Sequence, residues 1–156
     1  MQVSNEVNDR RVIEALTEVV ERGRRLGPVL RSIGRDWLSR VQLLFRSQHS
    51  PYGQPWAETL RGGQILSQSR RLRDSIDYIA DDEELALGTN VRYAGVHQYG
   101  ATIRARNAPY LVFRVGGQFV RKREVTIPQR QYLPTDGLPE AWAESALAKV
   151  QEHLTA

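Results

Sequence analysis

The sequence predicts an α+β fold, in which long N-terminal helices and a C-terminal helix pack on a mainly antiparallel β-sheet with one protruding β-hairpin. Apolar residues recur every three or four positions towards both ends of the chain, as in amphipathic helices. Short β-rich runs separated by turn residues occupy the middle. The 156 residues contain no cysteine, so apolar packing must hold the fold without disulfides. This length and a 40% hydrophobic content suit one domain, which we expect to span 1–156.

Two helices are predicted within 9–45, separated at Gly27 and Pro28. Gly27 should take the left-handed conformation that ends a helix, and Pro28 suits the first turn of the next one. The apolar positions at helical spacing are Val12, Ala15, Leu16, Val19 and Val20 in the first helix, and Leu30, Ile33, Trp37, Val41, Leu44 and Phe45 in the second. Because the second stripe is stronger and ends in an aromatic residue, that helix should cross the core.

A long connection rich in turn residues follows at 46–64. Connections of this length without regular structure are usually functional or disordered, and here Tyr52 and Trp56 indicate that the loop is held against the body of the protein. After it, Ser67 can cap a short helix that reaches Arg73.

Two pairs of β-rich runs predict antiparallel hairpins. The runs 76–80 and 84–88 flank an acidic turn. The runs 109–115 and 118–125 flank Gly116-Gly117, and two glycines between β-rich runs are a strong hairpin signal.

Two further helices complete the expected fold. Asn90 should cap a short helix over 92–99 that ends at Gly100. The last helix should cover 139–154. Its apolar face should consist of Trp142, Ala146, Leu147 and Val150.

The charge is polarised along the chain, although the net charge is only +4. The segment 74–84 holds six acidic residues and no basic one, whereas 101–133 holds seven basic residues and the single acid Glu124. Opposite patches on one chain suit head-to-tail association around a ring. A basic hairpin could instead neutralise DNA phosphates without reading sequence. The candidate interface residues are Arg104, Arg106, Arg114, Arg121, Lys122, Arg123, Asp81, Asp82, Glu83 and Glu84.

No grouping of residues predicts catalysis, a metal or a cofactor. The three histidines, His49, His97 and His153, are scattered, and the strong enzyme motifs are missing from the sequence. The acidic run at 81–84 reads as a solvated turn because it lacks the glycine of a calcium-binding loop. A hydrolase that uses His97 with a nearby carboxylate remains the enzyme alternative. No stretch approaches the ~20 apolar residues of a membrane span.

Four segments in order carry a resemblance to a known family. They are 50–56 (SPYGQPW), 65–76 (ILSQSRRLRDSI), 87–100 (LGTNVRYAGVHQYG) and 127–133 (IPQRQYL). Together they resemble the motifs of the phage virion morphogenesis, or tail completion, proteins of Mu-like phages. The chain departs from the family pattern at Ser50, where aspartate is common, and at Arg70 or Arg71, where glycine is usual.

Most of the motif residues should maintain the fold. Tyr93, Val96 and Tyr99 should pack inward, while His97 and Gln98 supply hydrogen bonds. The motif positions carried over from the family are Gly53, Trp56, Leu72, Arg73, Asp74, Gly88, Asn90, Tyr93, His97, Gln98, Gly100, Pro128 and Leu133.

The resemblance implies a structural, non-enzymatic protein of the phage neck or upper tail. Such a protein is expected to form a six-fold ring that caps the tail tube and enables head–tail joining. The implied partners are further copies of the chain, the tail tube protein and head–tail connector proteins, with possible non-specific contact with DNA in the channel. The implied location is the virion, after assembly in the host cytoplasm, with no membrane and no cofactor.

Alternatives remain open at this point. One is a head–tail connector, acting as stopper or adaptor in the same neck, and a more remote one is a non-specific DNA-binding module. The basic hairpin is expected to be an insertion at 103–126 and could reach the ring lumen, a neighbouring subunit or the next ring.

Overall fold

A computed structural model describes residues 10–59, 62–66 and 70–156. The fold is α+β, as predicted, with helices at both ends and antiparallel strands between them. The helices are α1 (Arg10–Arg24), α2 (Gly27–Ser47), α3 (Arg71–Asp74), α4 (Ala94–Tyr99) and α5 (Glu140–Thr155). The strands are β1 (Ile76–Ala80), β2 (Leu85–Thr89), β3 (Ala101–Arg104), β4 (Leu111–Val115), β5 (Gln118–Lys122) and β6 (Glu124–Ile127).

The break between α1 and α2 lies where the sequence placed it, but Gly27 does not act as predicted. Gly27 is the first residue of α2 and is not left-handed, and Pro28 occupies the first turn. The amide of Gly27 donates a 2.6 Å hydrogen bond to Oδ1 of Asp82, far along the chain. A carboxylate at a helix N-terminus satisfies a free backbone donor and complements the helix dipole. The start of α2 is therefore capped from the acidic turn.

The strands form three two-stranded antiparallel ribbons and no wider sheet within the described residues. The β1–β2 ribbon packs on α2, and the Tyr78 ring lies against Gly34, where a Cβ would overlap it. Glycine inside a helix costs up to about 1 kcal/mol relative to alanine, and here it makes room for the aromatic ring.

The other two ribbons, β3–β6 and β4–β5, follow one another along a single hairpin, which we call the basic ribbon (101–127). At its base β3 pairs with β6, from Ala101 opposite Ile127 to Arg104 opposite Glu124. At its tip β4 pairs with β5 around the predicted Gly116-Gly117 turn. Among the described elements, β4 and β5 pack extensively only against each other. Whether 103–126 is an insertion relative to other family members stays a prediction.

The core lies between α2, the loop that follows it, and the segment after β6. Phe45 is fully buried; its ring meets Trp56 edge-on at 5.3 Å between centroids and Tyr132 at 5.6 Å. The buried cluster consists of Val41, Phe45, Trp56, Ile65, Leu72, Ile76, Ala94, Tyr132 and Trp142. The second N-terminal helix thus crosses the core, as expected.

Helix α5 is fixed to α2 by aromatic and polar contacts. Trp142 packs against Trp37, with 6.5 Å between ring centroids, and Ser145 Oγ donates to Asp36 Oδ2 at 3.0 Å. Leu147 is 68% exposed, so the prediction that it belongs to the buried face is wrong. It faces away because the packed side of α5 follows Trp142 and Lys149, whose Nζ lies 3.3 Å from Ser32 Oγ.

The short helices differ from the prediction at their starts. Ser67 lies outside the described residues. Helix α4 begins at Ala94 after Tyr93 and has no side-chain cap, so the prediction of Asn90 as its cap is wrong. Tyr93 and Tyr99 are 40% and 65% exposed, contrary to the inward packing that we expected.

Helix α1 has no buried residue, although its apolar stripe is well formed. None of the described helices is long and apolar enough to cross a membrane.

Candidate assembly surfaces

The motif around Gln98 holds the segment that follows the basic ribbon. Oε1 of the Gln98 side chain accepts hydrogen bonds from the backbone N–H groups of Tyr132 and Leu133, at 3.1 and 3.0 Å. Nε2 of the same side chain donates to the Leu133 carbonyl at 2.8 Å. One buried side chain therefore pairs with the backbone much as a neighbouring strand would, which binds α4 to 129–135. This confirms the expectation that Gln98 supplies hydrogen bonds.

Arg130 reinforces the same junction from the other side. It is buried, and its guanidinium donates to the carbonyls of Ala57 and Glu58 at 2.8 and 3.0 Å. Its backbone N–H donates to the His97 carbonyl at 2.7 Å. Burial lowers the pKa of Arg130, yet guanidinium stays charged in proteins. Arg130 therefore does not contribute to the exposed basic surface, although the sequence count included it.

His97 is a half-buried ring that lies against Tyr93. Burial, and then the charge of Arg130, lower the pKa of His97, so the neutral imidazole is favoured at neutral pH. Its Nδ1 is buried without a hydrogen-bond partner among the described residues, and the Tyr93 ring meets it edge-on at 5.9 Å. The expectation that His97 supplies side-chain hydrogen bonds is therefore not met at Nδ1.

The 50–56 loop is pinned by both predicted aromatic residues. Trp56 Nε1 donates to the Gln131 carbonyl at 2.9 Å, and the Tyr52 hydroxyl donates to the Gly137 carbonyl at 2.7 Å. Ser50 Oγ accepts from the N–H groups of Tyr52 and Gln54, both at 3.2 Å. The serine hydroxyl thus closes the turn in the way that an aspartate side chain would.

The junction between α4 and 129–135 requires glycine at position 100, because a side chain would not fit there. The φ of Gly100 is 73°, and a Cβ would lie 3.0 Å from the Gln129 amide and 3.1 Å from the Ile127 carbonyl oxygen. Both contacts are with backbone, which cannot swing aside. Gly53 also has a positive φ, of 87°, at the exposed tip of the 50–56 loop.

The remaining motif positions divide between core and surface. Leu72 is buried and Leu133 packs partly buried against the same core. Arg73 Nε binds Asp74 Oδ1 at 2.9 Å on the surface. Gly88 lies within β2 opposite Asp77, and Asn90 and Pro128 are exposed.

The acidic turn (81–84) is exposed, and half of its carboxylates are engaged within the chain. Asp81 Oδ1 accepts from the N–H groups of Glu83 and Glu84, both at 2.8 Å, and these bonds lower the pKa of Asp81. Asp82 caps α2 through Gly27. Glu83 and Glu84 form no ion pair within the described residues. They are therefore the acids most available to a partner.

The basic ribbon exposes all six of the predicted cationic residues. Arg104 Nε pairs with Glu124 Oε2 across β3 and β6 at 3.0 Å. The guanidinium of Arg114 lies 5.1 Å from the Phe119 ring centroid. Arg121, Lys122 and Arg123 have no ion-pair partner among the described residues, so they are the cations most available at this surface.

One face of each ribbon combines exposed apolar and charged side chains. In the basic ribbon Val112 opposes Arg121 and Arg114 opposes Phe119, and these four share a face because they form adjacent pairs in alternate positions. Phe119 is 72% exposed and Val112 is 59% exposed. In the β1–β2 ribbon Asp77 and Ile79 are the exposed positions of β1, and Ile79 is 72% exposed.

These exposed apolar positions were not singled out from the sequence. The signal was present, because alternation in β1 and β4 places Ile79 and Val112 on the side opposite the packed residues. With two strands only and no second layer, that side stays in water.

Residues with the chemistry of a metal centre do not come together within 10–59, 62–66 and 70–156.

The sequence profile of the phage virion morphogenesis family matches residues 7–155. The chain belongs to this family. The match covers nearly the whole chain and agrees with the resemblance of the four ordered motifs. No curated protein and no solved structure matches the chain. The family is one of phage structural and morphogenesis proteins, which makes an assembly surface the appropriate kind of site to seek.

Proposed function

We propose that the chain is a tail completion protein: a non-enzymatic virion protein that forms a ring on the end of the tail tube and enables head–tail joining. Membership of the phage virion morphogenesis family supports a role in building the virion. The observation that carries the ring is that one chain exposes a basic ribbon and an acidic turn whose available charges are opposite.

The charges support an interface between copies. Arg121, Lys122 and Arg123 stand beside exposed Phe119, while Glu83 and Glu84 end a ribbon that exposes Ile79. Apolar area supplies most of the free energy of association, and charge complementarity sets register and suppresses wrong pairings. A basic side that meets an acidic side on the next copy makes a heterologous contact, which closes into a ring when its rotation permits.

The same features favour a protein partner over DNA at the ribbon. A duplex-binding surface consists mainly of cations that contact phosphates, whereas one face of this ribbon mixes its cations with the exposed apolar side chains of Val112 and Phe119, and Arg114 lies over Phe119. Non-specific contact with DNA passing through the channel remains compatible with the arginines on the ribbon edges.

The test is to measure the mass of the purified assembly and then its partners. We expect a closed oligomer, proposed to be a hexamer, that is retained by immobilised tail tube protein. We also expect the purified protein to restore head–tail joining in extracts that lack this protein. Retention by head–tail connector proteins alone would assign the chain to the connector class instead. A monomer that binds generic duplex at low salt would support the DNA-binding alternative and contradict the ring.

A further inference from the structure

Helix α1 carries an aliphatic stripe that the described part of the chain leaves uncovered. Its members are between 42% and 61% exposed. They are Val12, Ile13, Leu16, Val19 and Val20. Such a stripe normally faces a core, and a contiguous exposed apolar patch on a protein marks a surface that binds something.

The helix is held to the body through its C-terminal turn. Arg22 Nη1 donates to the Leu154 carbonyl at 3.2 Å, and His153 Nε2 lies 3.1 Å from the Arg22 carbonyl and 3.0 Å from that of Arg25. A Cβ at Gly23 would lie 4.0 Å from Leu154 Cδ2. Gly23 is seven residues beyond Leu16 and thus on the same stripe, so α5 begins to cover the stripe and covers it only at this end.

The outer face of α5 has the complementary character. Leu147 is seven residues before Leu154 on the same side of the helix, and it is 68% exposed. Exposed small and acidic residues surround it, and its glutamates form no ion pair within the described residues. They are Glu140, Ala141, Glu144, Ala148 and Glu152.

We infer that the aliphatic stripe of α1 packs on the outer face of α5 of a second copy of this chain. The alanines allow close approach, and Leu147 meets the stripe. The glutamates face Arg22 and Arg24, which border the stripe. Among the described residues of one chain these arginines form ion pairs only with Glu18 and Glu21 of α1 itself, at 3.4 and 3.1 Å, and exposed pairs of this kind are weak. The contact between Gly23 and Leu154 is the same kind of helix pairing, made at one end within a single chain.

Two other partners for the aliphatic stripe of α1 fit less well than α5. Pairing α1 with α1 of a second copy brings arginines near arginines, and two of the three acids of α1 already pair with Arg22 and Arg24. The β1–β2 ribbon offers Ile79 as a single large aliphatic side chain against five on the stripe. This inference rests on the proposed self-assembly but not on the place of the ring in the virion.

Disulfide trapping tests the contact cleanly, because the native sequence has no cysteine. Leu16→Cys and Leu147→Cys are made as separate proteins, mixed and oxidised. We expect a disulfide-linked heterodimer from the mixture, and a ladder of linked oligomers from the double variant. Glu14→Cys, on the opposite side of α1, replaces Leu16→Cys in the control mixture and should not cross-link with Leu147→Cys.

Each other outcome overturns the inference. A cross-link within one chain of the double variant would show that α1 closes on its own α5. Dimers of Leu16→Cys alone would show α1 pairing with itself. A ring of normal mass with no cross-link would refute the α1–α5 contact and leave the proposed function intact, whereas a chain that never self-associates removes both.

Discussion

Arg70 shows how a departure from the family pattern is accommodated at the scale of one residue. Its φ is 55°, in the left-handed region, and α3 begins at the next residue. Non-glycine residues there cost roughly 1–2 kcal/mol, which explains why glycine is usual at this motif position. The sequence left Arg70 and Arg71 as equal candidates, because backbone angles cannot be read from an arginine pair.

We predict that Arg70→Gly stabilises the protein by about 0.5–1 kcal/mol. Relief of the left-handed strain outweighs the added freedom of glycine in the unfolded chain. The measurement is urea unfolding followed by circular dichroism. Arg71→Gly is the matched control and should destabilise by up to about 1 kcal/mol, since it places glycine at the first residue of α3. A greater loss for Arg70→Gly than for Arg71→Gly would contradict this account.

Two pairs of aromatic residues show how well the packing of a single side chain can be predicted from the sequence. The packing of Tyr52 and Trp56 was predicted correctly, because a large aromatic side chain in a turn-rich loop usually packs against the body of the protein. Tyr93 and Tyr99 were assigned wrongly, because α4 has six residues and only Ala94 and Gln98 face the core. An amphipathic pattern is unreliable over less than two turns.

At the scale of elements, the junction of α4 with 129–135 depends on one amide. The Gln98 side chain satisfies two N–H groups and one carbonyl that belong to the segment after β6. We predict that Gln98→Leu destabilises the protein by about 2–4 kcal/mol, because buried backbone groups lose their partners.

Urea unfolding checks this prediction as well. Gln118→Leu, an exposed glutamine in β5, is the control and should change stability by less than about 0.5 kcal/mol. If the two variants unfolded alike, water would be replacing the Gln98 amide, and the hydrogen bonds of Gln98 would not be what stabilises this junction.

Element boundaries followed local signals closely where those signals exist. The Gly116-Gly117 turn, β1 and the break between α1 and α2 were placed within a residue or two. The β3–β6 pairing was not foreseen, because each strand has four residues and the two lie about 20 residues apart, with no turn signal to link them. Pairing at that distance is decided by packing.

At the scale of the molecule, the sequence showed that charge is polarised along the chain. It did not show which of the charged side chains are free to contact a partner. Arg130 is buried and Asp82 caps a helix, so neither is available to a partner. The residues left for an interface are therefore fewer than the sequence count and more closely grouped. Tertiary contacts determine which charged residues remain available to a partner, and these contacts cannot be read from composition.

We predict that Arg121→Glu with Arg123→Glu weakens self-association at least about tenfold without unfolding the chain, because exposed cations that face acids become like charges. Analytical ultracentrifugation over a dilution series gives the affinity. Arg35→Glu with Arg46→Glu, on exposed positions of α2, makes the same change in net charge and should leave assembly nearly unchanged.

A reciprocal variant sharpens the interpretation. Adding Glu83→Arg and Glu84→Arg to the reversed ribbon should restore association, since the signs match again. Loss of duplex retention with unaltered assembly would place the ribbon against DNA and argue against the contact between copies.

The hydrogen bond between Gly27 and Asp82 has a mechanical consequence. It ties the tip of the β1–β2 ribbon to the two-residue joint at which α1 leaves α2. A neighbour that pulls on this tip therefore also acts on the angle of α1, some 55 residues away in sequence. A force on the ribbon tip is thus passed to the joint between α1 and α2 through a single hydrogen bond.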